Sequence, residues 1–376
     1  MSIPFQGSLV LAPLTKGGNL PYRRLCRFFG ADITVSEMAY ARQLLKGEGR
    51  EKALIRRHPD EAVFGVQIAA GRADEAARVC ALLGSMPIDF IDLNVGCPIH
   101  DAIRRGMGSC LLQRPRSLGK IVEAMVAATA VPITVKIRAG WSESEINASE
   151  VVDILAAAGA SAVTLHARTR EQRYTKAADW SLIAKIVSQS PIPIIGNGDI
   201  LTWYEARDRW DSSRCAAIMI GRGALIKPWI FQEIKTSSTW NPTAAERIAV
   251  YYQLSSYTKE HFRDDEKGRK RALYFMPFQL GFLCRYRYLP ESLYREAARA
   301  HPLIQTRADE MQDERLKACP LERMLSDSDS QLHQRIAELL WESSAEGEAL
   351  RKLSALSESR IENASGEDRV EEQPQG

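Results

Sequence analysis

No window of the sequence is long and apolar enough to cross a bilayer, although apolar residues make up 45% of the 376 positions and charged residues 26%. A membrane-embedded protein is thereby set aside. The opening stretch, "MSIPFQGSLVLAP", lacks a basic segment followed by a long apolar one, so no secretory leader is expected and the cytoplasm is the expected compartment. Seven cysteines stand at positions 26, 80, 97, 110, 215, 284 and 319, an odd and scattered set without a C-x-x-C pair. That spacing offers no zinc or redox centre, so no metal is expected and most of the thiols should be small buried hydrophobes. The first β-branched run is followed by "LAPLTKGGNL", which has no G-x-G-x-x-G spacing and counts against a doubly wound dinucleotide-binding sheet.

What the sequence does contain is alternation. Short β-branched runs bounded by Gly, Pro or Asp occur at Leu9 to Ala12, Ile33 to Ser36, Val63 to Ile68, Phe90 to Asn94, Ile133 to Ile137, Ala162 to His166, Ile192 to Ile195 and Ala217 to Ile220. Segments of helical periodicity, such as "RADEAARVCALLG" and "SEVVDILAAAGA", separate them. Eight strand-helix units over residues 1–241 predict a (β/α)8 TIM barrel. From 242 to 342 the β-branched runs give way to long helical stretches, which predict a smaller all-helical domain. Lys267, Arg269, Lys270, Arg271, Arg285 and Arg287 cluster there with Tyr274, Tyr286 and Tyr288. From Glu342 onward nine acidic residues face four basic ones, so 343–376 reads as an acidic, disordered tail.

Polar residues close nearly every strand: Thr15, Glu37, Gln67, Asn94 with Cys97, Lys136 with Arg138, His166 with Arg168, Asn197 with Asp199, and Arg222. In a barrel these ends converge on one rim, where such folds build their sites. A lone cysteine is more often packing than chemistry. Cys97, however, sits in a Gly-Cys-Pro turn beyond a strand end, next to the glycine-rich "RRGMGSCLL", and there it can serve as a nucleophile or proton donor. Lys136, Gln67, His166 and Asn197 on the same rim suit a flat heteroaromatic ligand. The turns in "IIGNGDI" and "IMIGRGAL", together with Arg222, suit its phosphate at strands seven and eight. A flat ligand with a phosphate fits flavin mononucleotide (FMN).

The motifs "LAPLT", "GVQI", "DLNVGCP" with "GMGSCLL", "ITVKIR", "HARTREQRYTKAADW", "IIGNGDI" and "IMIGRGAL" together resemble the flavin-dependent tRNA-dihydrouridine synthases. "LCRFFGADITVSEMA" and "FLCRYRYLP" lean toward the eukaryotic type that acts on the variable loop, without that type's Cys/His zinc fingers. The resemblance implies that Pro13, Leu14 and Thr15 line the flavin ring and that Gln67, Lys136 and His166 hydrogen-bond it. Asn197, Gly198, Asp199, Gly221 and Arg222 would hold the ribityl chain and phosphate. Cys97 matches the proton donor, and Asn94 and Arg168 match positions that hold the target uracil. Ala167, where the family often has glycine, and Arg105 and Met107 around Gly106 are departures.

The expected reaction is FMN-dependent reduction of the C5=C6 bond of uridines in tRNA, with NADPH or NADH as reductant. Lys267, Lys270 and Arg271 of the helical domain would contact RNA phosphates, and the protein is expected to be monomeric. The alternatives are the same chemistry on ribosomal RNA, a flavin barrel acting on a small pyrimidine of the dihydroorotate type, and a catalytically silent RNA-binding scaffold. An intact Cys97, Lys136 and His166 set argues against the last.

Overall fold

The computed structural model describes residues 3–300, 316 and 319–367, with side chains to Arg360. The strands are β1 Ser8–Leu11, β2 Ile33–Val35, β3 Ala39–Tyr40, β4 Val63–Ala69, β5 Phe90–Val95, β6 Ile133–Gly140, β7 Ala162–Thr169, β8 Ile194–Asn197 and β9 Ala217–Ile220. All pair in parallel in the order β2-β1-β9-β8-β7-β6-β5-β4-β3, and a further β2–β4 pairing closes the ring. The expected TIM barrel is therefore present. Strand β3 is an addition: two residues that pair with Ile68 and Ala69 above the point where β2 leaves β4.

Strand ends differ from the sequence reading for local reasons. β8 starts at Ile194 rather than Ile192, since Pro193 has no N–H to give a ladder; its carbonyl still accepts from Val163. β6 and β7 run on to Gly140 and Thr169, past a register irregularity between Arg138 and Gly140. The extension draws Arg138 and Arg168 into the sheet. Both are buried.

The end of the barrel where the strands begin is closed by apolar packing. Phe5, Val10, Ile33, Val35, Phe90, Ala162, Ile195, Ala217 and Met219 form one buried cluster, and Phe5 meets Phe90 edge-on at 5.9 Å. The Phe90 ring lies so close to β4 that a Cβ on Gly65 would stand 2.2 Å from it. A glycine in mid-strand is here the condition for an aromatic plug. The plugged floor leaves the polar residues to the other end.

The chain divides into two compact units. The first holds the barrel and also the helix Glu291–Ala300, which packs Ala298 against Trp203 and Tyr204 and pairs Arg295 and Arg299 with Asp208. The sequence reading had assigned residues 291–300 to the second domain. The second unit contains the helices Ala244–Phe262, Glu266–Leu283, Pro320–Leu325, Ser330–Glu342 and Glu346–Glu367. A capping box between Thr243 and Glu246 starts the first of these, and Asp265 caps the second.

The last helix corrects the expected disordered tail. Ala349, Leu353 and Ser357 are buried at four-residue spacing on its inner face, a phase that a count of charges passes over. Residues 368–376 lie outside the described residues. Among the described residues no helix is long and apolar enough to cross a membrane, and no group of three potential metal ligands is gathered.

Candidate active site

The site grows from the alternation of β5. Asp92 and Asn94, two residues apart, share the barrel-facing side of the strand, while Ile91, Leu93 and Val95 are buried on its other face. Asp92 accepts from Gln67 Nε2 on β4 at 2.7 Å and from Thr134 Oγ1 on β6 at 2.7 Å. Asn94 donates through Nδ2 to Gln67 Oε1 at 2.8 Å. Its Oδ1 accepts from the backbone N–H groups of Gly96 at 3.2 Å and Cys97 at 2.9 Å, an Asx turn that brings the chain round at the thiol.

Cys97 is then clasped from the far side. Its carbonyl accepts from Ser109 twice, through N at 3.1 Å and Oγ at 3.0 Å. Gly108, at φ +69°, lies so near that a Cβ there would stand 2.7 Å from the same carbonyl oxygen. The half-buried thiol touches the cluster of Ala69, Ala102, Met107, Met38 and Tyr40. Burial pushes its pKa up, opposed by a backbone hydrogen bond at Ile99 and by the Arg138 and Lys136 cations. A thiol in this setting keeps its proton at neutral pH.

Arg138 was read from sequence only as a strand end, and the structure gives it more to do. Its Nε donates to Gly96 O at 2.8 Å and its Nη1 to Thr169 O at 2.9 Å, so it ties the Cys97 turn to the end of β7. The period-two spacing of Lys136 and Arg138 in "ITVKIR" was the available signal, because it places both on one face. Lys136 Nζ donates to Asn197 Oδ1 at 3.1 Å across the barrel mouth. Burial first, and then Arg138, push the Lys136 pKa down to about 8 against the pull of Asp92 and Cys97. It remains a cation at pH 7. His166 is driven well below its usual value by burial and by the surrounding Lys136, Arg138, Arg168 and Arg222, so its ring is neutral.

The side of the rim beyond β7, β8 and β9 is organised by a carboxylate. Asp199, at φ +49°, accepts from Arg168 Nη2 at 2.6 and 2.7 Å, from Ala178 N at 2.8 Å and from Arg222 Nη2 at 3.3 Å. Gly198 precedes it at φ +136°, where Ala178 leaves no room for a Cβ, and its carbonyl takes Trp180 Nε1 at 3.0 Å. Tyr174 was not singled out from the sequence. Its half-exposed ring lies 4.1 Å from the Arg222 guanidinium carbon, 5.8 Å from that of Arg168 and 6.0 Å from that of Arg138.

The structure thus brings Gln67, Asn94, Cys97, Lys136, His166, Arg168, Asn197, Gly198, Asp199 and Arg222 to one end of the barrel. Pro13, Leu14 and Thr15 follow β1 at that end, where Thr15 is exposed and Glu37 holds the left-handed Lys16 through its N–H at 2.6 Å. Gly221 follows β9, with Ala12 and Leu14 as its neighbours. Arg168 is fully buried and paired with Asp199, and both ends of the Asn94 carboxamide are engaged. Lys267, Lys270 and Arg271 are exposed on the helix Glu266–Leu283 of the second unit, with Tyr274 exposed and Tyr286 buried. A cleft of about 490 Å³ between the helices Trp203–Ser213 and Glu291–Ala300 includes none of the rim residues in its lining.

The family model for dihydrouridine synthase matches residues 10–283, from within β1 through the rest of the barrel strands and into the second unit. The chain belongs to the dihydrouridine synthase family. Among dihydrouridine synthases it is 44% identical over 287 residues to the Xenopus tropicalis protein named tRNA-dihydrouridine(47) synthase (NAD(P)(+))-like, covering 76% of this chain and 45% of that protein. It is 43% identical over 286 residues to the like-named Homo sapiens protein, covering 76% of this chain and 44% of that one. With the Coprinopsis cinerea tRNA-dihydrouridine(47) synthase (NAD(P)(+)) it shares 38% identity over 356 residues, 90% of this chain and 51% of that protein. The chain spans about half the length of the curated relatives it matches.

Proposed function

We propose that this protein reduces the C5=C6 bond of a uridine in tRNA to 5,6-dihydrouridine, with bound FMN and with NADPH or NADH as the source of electrons. The observation that carries the reading is the Cys97 turn: a protonated thiol clasped by Asn94 and Ser109 beside a buried cation and a neutral histidine. Saturating the bond takes a hydride at C6 and a proton at C5. FMN, when bound, supplies the hydride.

The residues of the rim suit that cofactor. Gln67 and Lys136 offer hydrogen-bond donors toward a heteroaromatic edge, Pro13, Leu14 and Thr15 flank it, and Gly198, Gly221 and Arg222 provide backbone approach and charge for a phosphate. Lys136, cationic below about pH 8, stabilises negative charge on the ligand's edge. Asp199 stands behind this set and orients Arg168 and Arg222 rather than meeting the ribityl chain itself. Cys97 holds the one proton that C5 needs and delivers it there, leaving a thiolate that solvent reprotonates.

The uracil must leave the stack to reach a barrel mouth. The exposed Lys267, Lys270 and Arg271, with Tyr274 on the same helix, suit phosphate contacts and stacking. The relatives are named for position 47, and we assign the same target here. Purified protein, NADPH and unmodified tRNA transcripts test this, with dihydrouridine mapped along the product. Dihydrouridine at 47 is expected; reduction of ribosomal RNA in preference to tRNA, or no uridine reduction at all, would overturn the reading.

A further inference from the structure

The barrel interior contains a hydrogen-bonded chain that ends at the backbone N–H of Cys97 and begins at a carboxylate with no part in the chemistry proposed above. Thr134 donates to Asp92, Gln67 donates to Asp92, Asn94 donates to Gln67, and Cys97 N donates to Asn94, each at 2.7–2.9 Å. Every link has one permitted direction. Backbone N–H groups can only donate, so Asn94 must present Oδ1 to the Cys97 turn and Nδ2 to Gln67. Gln67 must then present Oε1 to Asn94, which leaves Nε2 to find an acceptor. Asp92, 3% exposed and flanked by Gln67 and Thr134, is that acceptor.

We propose that Asp92 is a positioning residue: by accepting from Gln67 it fixes the orientation of both carboxamides and so holds the turn that carries Cys97. Without it, Gln67 is free to rotate its amide and point Nε2 at Asn94. Two donors would then face each other in a dry interior, and relief would come from Asn94 turning its oxygen away from the Cys97 N–H. The same carboxylate raises the pKa of Lys136, which links the two faces of the site. The argument rests on the preceding reading only in giving Cys97 the task of proton donor; the relay itself is a matter of geometry.

The test needs neither flavin nor RNA, so its outcome is separate from that of the functional assignment. The rate at which iodoacetamide alkylates Cys97 is followed by peptide mass, with Cys110 read in the same digest. Asp92→Ala is expected to raise the Cys97 rate about tenfold, the scale of one lost hydrogen bond to a charged group appearing as easier local opening. Gln67→Met, which cuts the chain without emptying the carboxylate site, should do the same, with Cys110 unchanged in both. Asp92→Asn should restore the wild-type rate, because its amide oxygen accepts from Gln67 while its nitrogen donates to Thr134. Wild-type reactivity of Cys97 in either breaking variant, or an Asp92→Asn rate equal to that of Asp92→Ala, would overturn the proposal.

Discussion

Arg168 and Asp199 meet through two hydrogen bonds of 2.6 and 2.7 Å, and neither side chain exposes more than 1% of its surface. Such a pair costs little when intact and much when halved, because a lone guanidinium is left in the interior. Asp199→Ala should lower stability by about 3–5 kcal/mol, measured by urea unfolding of the flavin-free protein. A smaller loss than about 1 kcal/mol would mean that water or another acceptor reaches Arg168.

The two half-reactions should separate at Cys97. In the proposed reaction, flavin reduction by NADPH does not use the thiol, so Cys97→Ala should bleach at the wild-type rate. Reoxidation by unmodified tRNA should slow by about 10²- to 10⁴-fold, the contribution of a positioned acid. Cys110, whose thiol donates to Met107 O at 3.2 Å, is the internal control; its alanine variant should keep most of its activity in single-turnover reoxidation.

Lys136 carries a pH signature. Its folded pKa of about 8 lies below its ordinary value of 10.5, so the folded state resists protonating it. Its deprotonated form costs the fold nothing above about pH 10.4; stability is lost as pH falls toward 8 and the loss is complete below that. Lys136→Met should therefore stabilise the flavin-free protein at pH 7 and leave it unchanged near pH 11, in thermal melts. The same variant should retain FMN less well at pH 7.

Charge reversal at Lys270 and Arg271 should weaken tRNA binding and reduce the slope of log K against log salt by about 0.7–0.9 per lost phosphate contact. Flavin reduction by NADPH should survive. Both side chains are exposed, and Lys270 is loosely paired with Glu266 at 3.7 Å. An unchanged slope would mark them as an ordinary solvated face.

Much of this fold was legible because a barrel strand is a local object. Each of the eight runs carries its own β-branched residues and its own bounding Pro, Gly or Asp, and all eight became strands. The residues on the rim were legible for the same reason. Their partners were not. Arg168 and Asp199 are 31 positions apart, and Thr134 and Asp92 are 42 apart; nothing in either neighbourhood tells a side chain whether it will face a ligand or another strand's carboxylate. Asn94 was matched to the substrate through the family resemblance, and nothing in its neighbourhood foretold that its oxygen would also accept from Gly96 and Cys97. The helix Glu346–Glu367 was missed for a different reason: composition measures how many charges a segment has, and its inner stripe of Ala349, Leu353 and Ser357 depends on their phase.

Strand β1 hydrogen-bonds on one side to β2 and on the other to β9, with Ser8 aligned to Ala217 and Leu11 to Ile220. During synthesis the first of these neighbours emerges almost at once and the second some 200 residues later, which at ribosomal speeds of about 5–20 residues per second is a wait of about 10–40 s. Throughout that interval the growing sheet has an open edge of N–H and C=O groups, and the apolar cluster around Phe5 and Phe90 lacks the Ala217 and Met219 that complete it. A nascent chain stalled before residue 217 thus leaves β1 with an unpaired edge that another strand can meet.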